Sequence, residues 1–131
     1  MAKAPKSLTG LPHQITQEQL NRYAHASGDH NPLHLDADFA ANTPYGKPIA
    51  HGMLVLAVLS EMLTRKFGAT TLRGARLRVR FRAPVFPGDT VNAKGTLRPT
   101  ASPSGEAVYD VECRNQDGKT VITGEAALPW S

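Results

Sequence analysis

The clearest pattern of apolar and polar positions lies in the second half of the chain. From Ala75 to Arg82 apolar residues take every odd position and arginine takes every even one. Alternation of this kind predicts a half-buried antiparallel strand. Turns are predicted at 87–89, at 102–105 and at the strong hairpin pair 117–118. Three further strands should follow, with inward rows at Val91, Ala93 and Leu97, at Ala107, Tyr109, Val111 and Cys113, and within 121–128.

A continuous apolar segment, Met53 to Leu59, lies inside the longest predicted helix, about Gly52 to Phe67, which Gly68 should end. At 1.5 Å per residue the helix would be roughly 24 Å long. Its first two turns are apolar all round, unlike those of an amphipathic surface helix. This pattern predicts a helix that is buried on nearly every side.

The first third of the chain predicts shorter elements. A short strand is expected within 8–15, although its glycine and proline weaken the prediction. Thr16 and Gln19 have the spacing of a capping box for a helix over about 17–26, which Gly28 should stop. Asp36 is expected to be the N-cap of a second helix over about 37–42. Residues 43–48 should form a rigid, non-helical connection.

This order of elements, helices followed by antiparallel strands, predicts an α+β fold. The most natural packing is a curved antiparallel sheet wrapped around the long apolar helix. At 131 residues the chain is large enough for one core, so we expect a single domain spanning residues 1–131.

Composition excludes several function classes. The formal charge is +4, but aromatic residues are only 6% of the chain and no nucleic-acid motif is present, so we expect no nucleic-acid partner. The N-terminus has no apolar segment behind its lysines, and the longest apolar segment is too short for a bilayer, so neither secretion nor a membrane is expected. A single cysteine fits a reducing compartment, and we expect a cytoplasmic protein.

The candidate chemistry lies between Tyr23 and Ala40, in the sequence YAHASGDHNPLHLDADFA. Gly28 and Pro32 interrupt this stretch, so it should be neither a plain helix nor a plain strand. Asp29 and His34 can then converge on one water molecule, as general acid–base chemistry requires. The alternative is ordinary turn chemistry, because Asp and Asn are favoured in loops that bond their own backbone.

Several residues at fixed spacing decide between these alternatives: Tyr23, Ser27-Gly28-Asp29, Asn31-Pro32, His34, Ala40 and the later segment Ala50-His51-Gly52-Met53-Leu54. Together they resemble the hydratase motif and the central-helix start of the MaoC-like dehydratases, the family of (R)-specific enoyl-CoA hydratases. The resemblance implies a hot-dog fold and reversible hydration of 2-enoyl-CoA to (R)-3-hydroxyacyl-CoA. It further implies a homodimer and a coenzyme A or acyl carrier protein thioester as substrate.

By this resemblance Asp29 and His34 form the catalytic pair. The Gly52 amide, at a helix start where N–H groups lack internal partners, should hold the thioester oxygen as it gains charge. Ser27, Gly28, Asn31 and Pro32 should support the loop.

Other readings of the same residues remain open. Two alternatives to the hydratase are considered. One is a thioesterase on the same fold, and the other is a non-catalytic acyl-thioester-binding partner subunit. No HExxH motif or cysteine cluster is present, so we expect no metal and no cofactor. The arginine row 76–82 suits a solvated sheet face or the phosphates of a carrier. Ser60 and Cys113 are weak nucleophile candidates, and Cys113 should be an unreactive core thiol.

Overall fold

An antiparallel sheet packs against one long helix in the computed structural model, which describes residues 3–99 and 105–130. In chain order the elements are β1 (Ser7–Thr9), β2 (His13–Gln14), α1 (Gln17–Ser27), α2 (Pro32–Leu35), α3 (Ala37–Ala41), α4 (Gly52–Phe67), a 3₁₀ turn (Gly68–Leu72), β3 (Arg76–Phe81), β4 (Thr90–Leu97), β5 (Glu106–Arg114) and β6 (Thr120–Pro129). The α+β prediction is confirmed. Among the described helices, none reaches the length and hydropathy needed to cross a lipid bilayer.

Strand order in the sheet differs from strand order in the chain. The order is β1-β4-β5-β6-β3, all neighbours are antiparallel, and β2 pairs with β4 beside β1. The last strand, β6, therefore lies between β5 and β3. This arrangement leaves β3 at one edge of the sheet, paired with a neighbour on one side only.

The helix predictions hold closely. Thr16 caps α1 in a reciprocal capping box with Gln19, and Gly28 ends this helix in the left-handed conformation, with φ of 81°. Asp36 caps α3, which ends one residue before the predicted boundary. The bounds of α4 are those predicted. The predicted inward rows of β4 and β5 are also confirmed, with Leu97 only half-buried.

Three predictions about the framework were wrong. The strand expected within 8–15 is two short strands, because the pairing with β4 continues through the Gly10 N–H to the Ala93 carbonyl at 2.9 Å and is then interrupted at Leu11-Pro12, where proline has no N–H to donate. Helix α4 is not buried on nearly every side, because the sheet of this chain covers one face only; Met53 is 60% exposed. The turn predicted at 102–105 is not one of the three, because it falls largely outside the described residues and stays a prediction.

Strand β3 is the third error. It forms over the predicted residues, but it is not half-buried: Leu77 is 40% exposed and Phe81 is 53% exposed. The alternating pattern predicted the strand correctly. At the edge of the sheet, however, the rest of the sheet does not cover the apolar face of this strand. The described chain covers this face only in part: Val79 packs against the core, whereas Leu77 and Phe81 lie beside α4 and stay largely exposed.

The core between helix and sheet is continuous. The inward face of α4 contributes Val55, Val58, Leu59, Met62 and Leu63. Fully burying one such side chain contributes roughly 1.5–3 kcal/mol. Tyr109 of β5 packs against Phe67 at 5.7 Å between ring centroids, and its buried hydroxyl donates to the Pro5 carbonyl at 2.6 Å. The core therefore holds both ends of α4 in fixed positions.

Candidate active site

The end of α1 positions Asp29. The Gly28 N–H donates to the Ala24 carbonyl at 2.9 Å, and the positive φ at Gly28 turns the chain away from the helix. The Ser27 hydroxyl donates to the Tyr23 carbonyl at 2.7 Å and accepts from the Asp29 N–H at 3.1 Å. Asp29 is thus attached to a helix end through side-chain and backbone bonds, although the residue itself is exposed.

A short turn then carries the chain from Asp29 to His34. The Asp29 Oδ1 accepts from the Asn31 N–H at 3.2 Å, and the Asn31 Oδ1 accepts from the Leu33 N–H at 3.0 Å. Asn31 is the N-cap of α2 and Pro32 is its first residue. Asn31 thus makes a capping bond within the loop, and its supporting role stays a prediction. His34 lies on the single turn of α2. The stretch is therefore not wholly irregular, although Gly28 and Pro32 had predicted an irregular segment.

The His34 ring has a fixed orientation. Its Nδ1 lies 2.7 Å from the Ile49 carbonyl oxygen. A carbonyl can only accept, so Nδ1 carries the hydrogen, and Nε2 of the neutral ring is left with its lone pair. The backbone is held as well, because Gln17 Nε2 donates to the His34 carbonyl at 2.9 Å. Nε2 is therefore the ring nitrogen of His34 that is left free to accept a hydrogen bond.

His51 was not predicted as a site residue, yet it contacts both members of the pair. Its Nε2 lies 3.1 Å from the Asp29 carbonyl oxygen, and its ring stacks on His34 with centroids 3.9 Å apart. Tyr23 packs on it at 4.7 Å. The side chain is 2% exposed, and burial lowers its pKa, so it is neutral at pH 7.

One sequence signal could have singled out His51. It occupies the N-cap position of α4 and makes no side-chain capping bond. Ser, Thr, Asp and Asn are the usual residues at that position. In the described chain, its Nδ1 is also a buried polar atom with no hydrogen-bond partner. Leaving a buried polar atom without a partner costs about 1–3 kcal/mol, which makes histidine an unusual residue at this position.

The three polar side chains converge. One nitrogen or carboxylate oxygen from each of Asp29, His34 and His51 lies within 4.8 Å of the others. Within the described residues, Asp29 Oδ2 accepts no hydrogen bond and so is available to a bound water. Three side chains placed in this way could together surround a cation. The expectation of a metal-free site stays a prediction.

Gly52 begins α4 directly after His51. Its N–H is the first of the helix and finds no acceptor among residues 3–99 and 105–130. A cavity of about 290 Å³ joins this amide to the catalytic candidate, since both Gly52 and His34 line it. The Phe81 ring closes one wall: a Cβ added at Gly52 would lie 3.1 Å from that ring. The site thus has a helix-start amide beside a cavity that both polar and apolar side chains line.

Sequence comparisons identify the family to which this chain belongs. The family described as the MaoC like domain matches residues 3–116. The chain belongs to this family. Relatives include 3-hydroxyacyl-thioester dehydratase Z of Mycobacterium tuberculosis, 40% identical over 90 residues, and the (R)-specific enoyl-CoA hydratase of Aeromonas caviae, 34% identical over 106 residues. Both names describe hydro-lyases.

The matches differ in coverage. The mycobacterial match spans 63% of this chain and 58% of that protein, so the chain covers a little over half of that relative's length. The Aeromonas match spans 81% of this chain and 79% of that protein. The solved (R)-hydratase from A. caviae involved in PHA biosynthesis superposes with a TM-score of 0.83 at 28% identity, over 99% of this chain and 98% of that one. The hot-dog fold is thereby confirmed.

The remaining candidates in this MaoC-like chain lie away from the pair. Cys113 is fully buried, and burial raises its pKa to about 12, so its thiol is inert at neutral pH. Ser60 is exposed on α4 and lines a different cavity from His34. Neither side chain has the adjacent base that a nucleophile requires.

The arginine row is divided by its surroundings. Arg76 pairs with Glu106 at 2.6 Å, and Arg82 donates to the Thr123 hydroxyl at 2.8 Å beside the His34 cavity. For Arg78 and Arg80, the described part of the chain offers no carboxylate within ion-pair distance. Two cations of the row are therefore free for other contacts.

Proposed function

We propose that this chain catalyses the reversible, (R)-specific hydration of 2-enoyl-CoA thioesters to (R)-3-hydroxyacyl-CoA. One observation carries the proposal: the polar atoms of Asp29 and His34 converge within 4.8 Å, beside a cavity that contains a free helix-start amide at Gly52. Acid–base groups next to an oxyanion donor are what conjugate addition of water needs. The names of the relatives support the same reaction and its (R) stereochemistry.

In the proposed mechanism a water molecule bridges Asp29 Oδ2 and His34 Nε2. Asp29 takes one proton as the water oxygen attacks C3 of the enoyl group. His34 Nε2 accepts a hydrogen bond from the water and so orients it, and the proton taken from the water is then passed on to C2, with His34 Nε2 helping to relay it. The hydroxyl ends on C3 and a hydrogen on C2, so the reaction needs no oxidant, no reductant and no cofactor.

The attack pushes negative charge through C2 onto the thioester oxygen. The Gly52 N–H faces that charge from the positive end of the α4 dipole. A donor in such a position is worth about 10²–10³-fold in rate in comparable oxyanion sites. This is why an unpartnered amide in the cavity supports the proposal.

Crotonyl-CoA provides the direct test. Loss of enoyl absorbance without release of free thiol supports the hydratase, and chiral chromatography of the product should give the (R)-3-hydroxyacyl form. Release of thiol would favour the thioesterase instead. If neither change occurs with enoyl groups of several lengths, on coenzyme A or on acyl carrier protein, the hydratase proposal fails.

We also propose that the chain is a homodimer, formed at the β3 edge and the uncovered face of α4. Apolar side chains there are exposed to an unusual degree: Met53 60%, Leu77 40% and Phe81 53%. An open edge strand beside an apolar surface is a liability unless a partner covers it. Sedimentation should give twice the 14.1 kDa chain mass. Leu77→Asp should shift it to the monomer, whereas Leu11→Asp, an exposed residue elsewhere, should not.

The carrier of the acyl substrate and the boundaries of the domain are the subject of two separate proposals. The free Arg78 and Arg80 side chains suit the phosphates of coenzyme A or of the acyl carrier protein arm. Comparing the two crotonyl thioesters at rising salt concentration would distinguish the carriers. A single protease-resistant core spanning nearly all of 1–131 would support one domain.

A further inference from the structure

We infer that His51 is the positioning residue of this site. One hydrogen bond and one ring stack from His51 hold Asp29 and His34 in fixed positions relative to each other. The inference rests on the proposed hydratase function for its kinetic consequences. Its geometric content does not, because it concerns where one buried ring holds two neighbours.

The first contact fixes the Asp29 backbone. His51 Nε2 lies 3.1 Å from the Asp29 carbonyl oxygen, across 22 positions of sequence. Since a carbonyl cannot donate, His51 must be the Nε2–H tautomer. The other bonds of Asp29 join it to residues within two positions, so they shape the loop without attaching it to α4. The bond from His51 supplies that attachment.

The second contact fixes the His34 ring. The two imidazoles stack with centroids 3.9 Å apart and planes inclined by 29°. His34 is held at its edge by the Ile49 carbonyl and on one face by His51. An imidazole held in both ways cannot turn its Nε2 away from the water position without losing one of the contacts.

The backbone of the same residue begins α4. The His51 carbonyl accepts from the Leu54 N–H at 3.0 Å and the Val55 N–H at 3.2 Å, and the next amide is that of Gly52. His51 therefore joins the base, the imidazole and the oxyanion donor within one residue. Small displacements matter here, because a 1 Å misplacement in an active site can cost about 10²-fold in rate.

A direct proton-transfer role does not fit the same ring. Its Nε2 hydrogen is committed to a backbone carbonyl, and its Nδ1 is buried without a partner in the described chain. Burial lowers the pKa and keeps the ring uncharged, so it adds no positive charge against His34. A neutral stacked ring is suited to holding its neighbours, and proton exchange is left to Asp29 and His34.

Two substitutions separate the contacts. His51→Gln keeps an N–H donor near the Nε2 position, while His51→Phe keeps a ring and loses the donor. We expect His51→Phe to lower kcat about 10²-fold with KM changed less than about twofold, because misplacement acts on the transition state. His51→Gln should recover at least about tenfold of that loss. The matched control is His25→Phe, an exposed histidine on α1, which should keep wild-type kcat.

A merely structural role predicts something different. The two variants would then lose thermal stability together, and kcat per folded molecule would stay near wild type. Equal kcat for His51→Gln and His51→Phe, with both proteins folded, overturns the inference.

Nitrogen-15 NMR of the imidazoles gives a readout that does not depend on turnover. His51 should be in the neutral Nε2–H form at pH 7, and His51→Phe should shift the Asp29 and Asn31 amide resonances more than those of α3. An Nδ1–H or charged His51, or unmoved Asp29 resonances, would refute the positioning role. Because these spectra need no substrate, they test the positioning role even if the wild-type chain hydrates no enoyl thioester. Such a lack of activity would refute only the proposed function.

Discussion

Replacing Asp29 by Asn removes a base and almost nothing else. Asp29 is exposed, and its Oδ1 accepts one bond from the Asn31 N–H at 3.2 Å, which an amide oxygen can also accept. The free energy of unfolding should therefore change by less than about 0.5 kcal/mol, as at other exposed sites. Turnover should instead fall about 10²- to 10⁴-fold, the usual contribution of a positioned base. That loss corresponds to about 2.7–5.5 kcal/mol of transition-state stabilisation.

The assay is crotonyl-CoA hydration under steady-state conditions, with circular dichroism and sedimentation as checks on folding and assembly. His34→Ala should lose a similar factor. The double variant should be little worse than the worse single one, because groups that act on one water are not additive. Asp38→Asn, an exposed carboxylate in the first turn of α3, is the matched control and should retain full turnover. Near-normal hydration by folded Asp29→Asn would refute the catalytic assignment.

Three further predictions follow from the core and the site. Cys113 should resist thiol reagents in the native protein at pH 8, since burial raises its pKa to about 12; labelling at the unfolded rate would contradict this. Gly124→Ala should lower the free energy of unfolding by at least about 1–3 kcal/mol, because a Cβ would overlap the Arg78 carbonyl and lie 2.9 Å from the Val79 Cα. Gly95→Ala meets mainly a movable side chain and should cost less, so equal urea midpoints would be inconsistent. Hydration should survive dialysis against a chelator, whereas loss restored by a divalent cation would show that the site needs a metal.

Local chemistry explains what could be predicted from the sequence. The capping box of α1, the glycine that ends it and the bounds of α4 depend on residues near each other in the chain. The catalytic candidates could be proposed for a related reason. Asp29 and His34 are five positions apart, so a turn alone brings them together, and their surroundings form one local motif.

Predictions failed where the burial or contacts of a residue depended on parts of the chain that are distant in sequence, or on surfaces outside the chain. The pattern of β3 specifies a strand, but not that it would lie at the sheet edge with Leu77 and Phe81 uncovered. The same reason applies to the exposed face of α4. His51 was named in the motif but given no site role, because that role needs Asp29, 22 positions away, and a ring contact that no spacing rule contains. Residue pattern determines which faces are apolar, whereas tertiary structure decides which are covered.

The position of β6 has a consequence for how the chain is made. Strands β5 and β3 both pair with β6, which is the last strand in the described sequence. Strand β1 likewise cannot pair before β4 has been synthesised. During synthesis from the N-terminus, α4 and β3 therefore emerge before the strand that joins β3 to the rest of the sheet. Sheet closure of such long-range character is slow, and it leaves apolar surface exposed meanwhile. A nascent chain halted before Thr120 should need a chaperone to stay soluble, while the released chain should not.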